Sequence, residues 1–76
     1  MKVNVNEYGS TTANIECDDV ELMATLIAVA CGFEPNKPND DGVSPYYKIK
    51  KRLTPTDGKP IAAFWFDECL ITVVAA

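Results

Sequence analysis

Three cysteines, Cys17, Cys31 and Cys69, are the strongest nucleophiles and softest metal ligands in this 76-residue chain. No histidine accompanies them. Histidine is the commonest general base and the usual partner of a catalytic serine or cysteine, so its absence points away from that chemistry. The three cysteines are scattered and lack the close pairs of a zinc site. Their odd number also argues against a disulfide framework. Cys31 falls at the carboxyl end of a candidate helix, where the dipole disfavours a thiolate. Cys17 and Cys69 alternate onto apolar faces of candidate strands. All three read as structural thiols.

The acids form two groups. Glu16, Asp18, Asp19 and Glu21 gather at the start of the candidate helix, and Asp40-Asp41-Gly42 lies in a loop. No calcium-loop pattern follows Asp40, and a hard cation needs about six or more oxygens. Asp18 and Glu21 have capping-box spacing, which accounts for them without catalysis. A pair of catalytic carboxylates would need a cleft that so small a domain hardly provides. No glycine-rich phosphate loop is present. The expectation is a non-enzymatic protein without metal or cofactor.

One basic segment, KIKKR at 48–52, follows Tyr46 and Tyr47. Aromatic residues on a basic strand can stack on bases, with Lys48, Lys50 and Arg52 taking phosphates. The net charge of -4 opposes this, since a salt-sensitive grip on nucleic acid needs several phosphate contacts. The charge is also uneven. Residues 1–42 hold eight acids against two lysines, and residues 43–76 hold five basic residues against three acids. Such a field steers association with a complementary protein.

These residues must be positioned by a single domain spanning 1–76. A chain of this length has a narrow margin of stability. With 47% hydrophobic residues it suits a packed core. Met1-Lys2 leads into alternating Val and Asn, not the apolar stretch of a signal peptide. The longest mainly apolar helical run is too short to span a bilayer. With unpaired cysteines, the expected location is cytoplasmic.

KVNVNEY at 2–8 and TTANIEC at 11–17 both alternate, which predicts a hairpin. Val3 and Val5 share a face with Ala13, Ile15 and Cys17. The predicted register pairs Val5 with Ile15 through an odd loop, Gly9-Ser10-Thr11. A two-residue Gly-Ser loop would scramble the faces. A helix follows at about 19–31, capped by Asp18 and closed by Gly32, with Phe33 folding back. Leu22, Leu26, Val29 and Phe33 are the expected sheet-facing side. Met23, Ile27 and Ala30 spill onto a flank, and Ala24, Ala28 and Cys31 form a small-residue ridge.

Residues 34–45 read as a crossover loop back into the sheet. Residues 46–53 admit two readings. As a helix, Ser44 caps, Pro45 sits at N1, and Tyr46, Ile49 and Leu53 are buried. As a strand, which the alternation favours, Lys48, Lys50 and Arg52 line one face. Asp57-Gly58 is a hairpin signal. Residues 61–66 and 69–74 are strands around Asp67-Glu68. Their pairing puts Ala62, Phe64, Phe66, Cys69, Ile71 and Val73 on one face. Ile61, Ala63, Trp65, Leu70, Thr72 and Val74 fall on the other.

The expected fold is α+β, in the order ββαβββ, with a mostly antiparallel sheet and a single helix on one face. Such a domain has little left to cover Trp65 and Leu70, unless the 34–45 loop and Tyr46-Tyr47 do so. The expected function is protein binding, as a small inhibitor or accessory factor of the phage or bacterial type. Its contact residues would be Trp65 and Leu70, with an acidic surface of Glu16, Asp18, Asp19, Glu21, Asp40 and Asp41. The alternatives are a homodimer, through the outer sheet faces or along Ala24 and Ala28, and a weak nucleic-acid module at 48–52.

Overall fold

The computed structural model describes residues 1–54 and 62–74. The fold is α+β. Its elements are β1 (Lys2–Glu7), β2 (Ser10–Glu16), α1 (Val20–Ala30), α2 (Pro45–Leu53), β3 (Ala63–Phe66) and β4 (Cys69–Val74). The strands form one antiparallel sheet in the order β2-β1-β4-β3. Both helices contribute to one core with its inner face: Val3, Val5, Met23, Ile27, Ile49, Phe64 and Ile71 are all buried there. No helix among the described residues is long and apolar enough to cross a membrane. The Asp57-Gly58 turn and the outward position of Ile61 lie outside the described residues.

The segment at 46–53 is a helix, not the favoured strand, so the order is ββααββ. Ser44 Oγ accepts from the Tyr47 N–H at 3.3 Å, and Pro45 begins the helix. Pro45, Ile49 and Leu53 form the buried stripe. A strand would have put Lys51 on the same face as Ile49 and Leu53, inside the core. Helical spacing removes it, and places Lys50, Lys51 and Arg52 at the negative end of the dipole. The 34–45 segment accordingly connects two helices instead of crossing back to the sheet.

The first hairpin keeps the expected faces by a different device. Its turn is Tyr8-Gly9, with φ of 53° and 79°, the signature of the tightest hairpin turn. Glu7 pairs with Ser10, and Asn6 with Thr11, but Val5 pairs with Ala13 and Val3 with Ile15. Thr12 is therefore a bulge residue. Without it, a two-residue turn would set Val5 against Thr12 and turn Ile15 to solvent. The expected Val5–Ile15 rung and odd loop are thus replaced, while the facing of each residue holds. The last hairpin has the expected register, Phe64 with Ile71 and Trp65 with Leu70. Its loop is the two residues Asp67-Glu68, with Asp67 at φ 54°.

In α1 the cap is Asp19, not Asp18. Asp19 Oδ1 accepts from the Glu21 N–H at 2.9 Å and the Leu22 N–H at 3.4 Å. Asp18 instead meets the Met1 amine at 3.3 Å. Gly32, at φ 86°, closes the helix. The Phe33 N–H donates to Ala28 O and the Gly32 N–H to Val29 O, both at 3.0 Å, the pairing of a Schellman motif. Phe33 folds back edge-on against Phe66, with ring centroids 5.3 Å apart.

The expected core side of α1 is reversed. Met23, Ala24, Ile27 and Ala28 are fully buried, whereas Leu22, Leu26 and Val29 are exposed. The second helix is the reason: α2 packs beside α1, so the core stripe is the one shared by sheet and helix. Ala24 and Ala28 lie inside the chain's own core. They offer no ridge to a second copy, which removes the homodimer along that line.

Candidate functional site

The outer sheet face is built by alternation. On β1 and β4 the residues facing away from the helices are Asn4, Asn6, Leu70, Thr72 and Val74, with Asn14 and Glu16 on β2 and Ala63 and Trp65 on β3. The face divides into halves. On β1-β2, Asn4 Nδ2 donates to Asn14 Oδ1 at 2.8 Å, Asn6 Nδ2 to Asn4 Oδ1 at 2.7 Å, and Thr11 Oγ1 to Asn6 Oδ1 at 3.1 Å. This ladder links the polar side chains to one another and presents an ordinary polar surface to water. On β3-β4 the face is apolar and open: Trp65 is 68% exposed and Val74 46%. Tyr8, in the adjoining turn, is 77% exposed, and its hydroxyl donates to Glu68. An open concavity is framed by Asn6, Tyr8, Trp65, Glu68 and Leu70.

The alternative, in which the 34–45 loop and Tyr46-Tyr47 cover this face, does not occur among the described residues. Tyr46 packs on the core and Tyr47 projects to solvent. The loop reaches only the flank of Trp65, where Pro38, Asn39 and Asp40 share a second concavity with it. Among the described residues nothing encloses Trp65.

Of the six acids, Asp40 lines a concavity with Trp65, and four of the others are already engaged within the chain. Asp18 is paired with the Met1 amine, Glu21 with Lys50 Nζ at 3.2 Å, and Asp41 with Lys48 Nζ at 2.6 Å. Asp19 is spent on the helix cap. The Lys48 hydrogen bond, with the Val43 N–H, holds the Asp41 carboxyl below the usual range. The Glu21 carboxylate, followed by Tyr46, raises Lys50. Glu16 and Asp40 are exposed.

The helical form of 46–53 also disperses the basic residues. Lys48 reaches Asp41, Lys50 reaches Glu21 and lies 5.7 Å from the Tyr46 ring centroid, and Arg52 lies 5.5 Å from that of Phe64. The single basic stripe of the strand reading is absent, because residues two apart point in different directions on a helix.

A pairing that sequence spacing concealed is Cys31 with Cys69. Cys31 caps the end of α1 and Cys69 begins β4, and the fold brings Cys69 close enough to act on the Cys31 thiol. Burial, then Cys69, then Glu7 and Asp67 push the Cys31 thiol up from 9.0 to about 12. Apart from burial, these causes come from three residues far away in the chain, so no local signal could have shown them.

No protein-family model matches the chain, and neither a curated protein nor a solved structure does.

Proposed function

We propose that this chain is a non-enzymatic protein-binding domain whose contact surface is the outer face of the β3-β4 hairpin. The observation that carries the reading is Trp65, 68% exposed on the open face of the sheet. Large exposed aromatic residues are rare on monomer surfaces and supply much of the energy at interfaces. Leu70 and Val74 extend the apolar patch, and the asparagine ladder gives it a polar border. The acids contribute less, since three of the six are already ion-paired, and exposed pairs of this kind add little. An inhibitor or accessory factor is the role such a surface would serve.

The test is retention of cellular proteins on immobilised chain. Wild type and Leu22→Ala, an exposed apolar control on the helical side, should retain the same protein. Trp65→Ala, with unchanged circular dichroism, should lose it. Retention indifferent to Trp65 would sink the reading.

A second reading, homodimerisation, rests on α1. Leu22, Leu26 and Val29 are 48%, 38% and 57% exposed and line one side of the helix. Two copies meeting along this stripe would bury it, in the commonest closed symmetry. Light scattering should then give about twice 8.3 kDa, reduced to the single mass by Leu26→Glu. A single mass for the wild type at micromolar concentration removes this alternative.

A further inference from the structure

Among the described residues β3 is one of the two edge strands of the sheet, the other being β2. Among the described residues β3 pairs with β4 alone. The Val73 N–H donates to Ala62 O at 2.8 Å, which sets the phase of the ladder. Antiparallel rungs alternate between hydrogen-bonded and non-hydrogen-bonded pairs. The rungs Ala63–Thr72 and Trp65–Leu70 are therefore the non-hydrogen-bonded ones. The N–H and C=O groups of Ala63 and Trp65 point away from β4, to the open side.

The groove beside this edge has a definite charge. It is lined by Lys48, Lys51 and Arg52 of α2 together with Ala63–Phe66. No carboxylate among the described residues lines it. Lys48 is engaged by Asp41, while Lys51 and Arg52 have no ion-pair partner among the described residues. Lysines beside a free edge ordinarily discourage pairing between like strands. The same charge selects one class of strand, an acidic one, and repels a basic one.

We propose that the β3 edge and the basic side of α2 bind an extended acidic segment of a partner protein as an added strand. This rests on the protein-binding reading above and names the chemistry of the partner. The backbone of the segment pairs with Ala63 and Trp65. Its side chains alternate. Those beside Phe64 and Phe66 face α2 and meet Lys51 and Arg52, so they are acidic. Those beside Trp65 join the outer face and are apolar. The recognised pattern is therefore glutamate or aspartate alternating with a β-branched or aromatic residue.

The experiment uses a labelled peptide of about seven residues, a common strand length, alternating glutamate with valine. Binding is read by anisotropy and by the emission of Trp65, the only tryptophan in the chain. Binding should weaken as salt is raised, and by roughly tenfold with Lys51→Glu. A peptide with lysine for glutamate should not bind, nor should one N-methylated on the edge-facing amides. No binding, or equal binding of the lysine or N-methylated peptide, overturns the proposal. Displacement by an oligothymidylate assigns the groove to nucleic acid and overturns it too. A doubled mass that Lys51→Glu reverses assigns the edge to a second copy, with the same consequence. If the peptide fails while Trp65-dependent capture of a cellular protein persists, the edge proposal falls and the broader reading stands. If capture is indifferent to Trp65, the broader reading falls whatever the peptide does.

Discussion

Trp65 and Leu70 stand opposite each other on one rung of the β3-β4 hairpin, on the side of the sheet that neither helix covers. The rung above and the rung below, Phe64 with Ile71 and Phe66 with Cys69, face the core. Adjacent residues of one four-residue strand thus serve opposite purposes. Phe64 is 3% exposed and Trp65 is 68% exposed.

This separation predicts that Trp65 contributes little to folding. Trp65→Ala should shift stability by no more than about 1 kcal/mol, the span of strand preferences. Phe64→Ala should cost roughly 3–5 kcal/mol, because it leaves a cavity in the core. Denaturant melts of both variants make the comparison, and acrylamide should quench Trp65 emission almost as well in the folded as in the unfolded chain. Similar losses from the two variants would place Trp65 in the core.

The orientation of α1 yields a second comparison between neighbours. Ile27 is fully buried and Leu26 is 38% exposed. Ile27→Ala should cost about 2–5 kcal/mol. In a monomer, Leu26→Ala should cost less than about 1 kcal/mol. The reverse ranking would restore Leu22, Leu26 and Val29 to the sheet-facing side.

Ser44 decides how α2 begins. Ser44→Ala removes the acceptor for the Tyr47 N–H and should destabilise the chain by about 1 kcal/mol. Ser44→Asp should preserve the cap and suit the positive end of the dipole. A neutral Ser44→Ala in a thermal melt would count against the capped start.

Cys31 carries a pH dependence. Its thiol is pushed up from 9.0 to about 12, chiefly by burial and then by Cys69. The folded chain keeps this proton where the unfolded chain releases it. The stabilisation is complete below pH 9.0 and is lost as pH rises towards 12. The stability difference between wild type and Cys31→Ala should therefore shift against the wild type as pH rises above 9.0. A difference constant with pH would contradict the shift. At about pH 8, iodoacetamide should also modify Cys31 far more slowly in the folded chain than in urea, since the thiolate is the reactive form.

Alternation and punctuation made much of this protein legible in its sequence. Period-two runs set which residues of all four strands face the core, and Phe64, Phe66, Ile71 and Val73 were placed with Trp65 and Leu70 opposite them. Gly32 and Phe33 marked the end of α1, because only a few backbone shapes close a helix. Such signals are local, with donor, acceptor and side-chain direction all set within a few residues. The tertiary structure decided what depended on distant partners. A helix and a strand were both open to residues 46–53, and only the core resolved them, by excluding Lys51 while keeping Ile49 and Leu53. That second helix then selected the buried side of α1 from a segment apolar almost all round. It also paired Lys50 with Glu21, remote in sequence, and Lys48 with Asp41 of the preceding loop, and left Lys51 and Arg52 beside the edge of β3. Periodicity shows which residues share a face; only packing settles which faces are covered, because cover comes from elements far away along the chain.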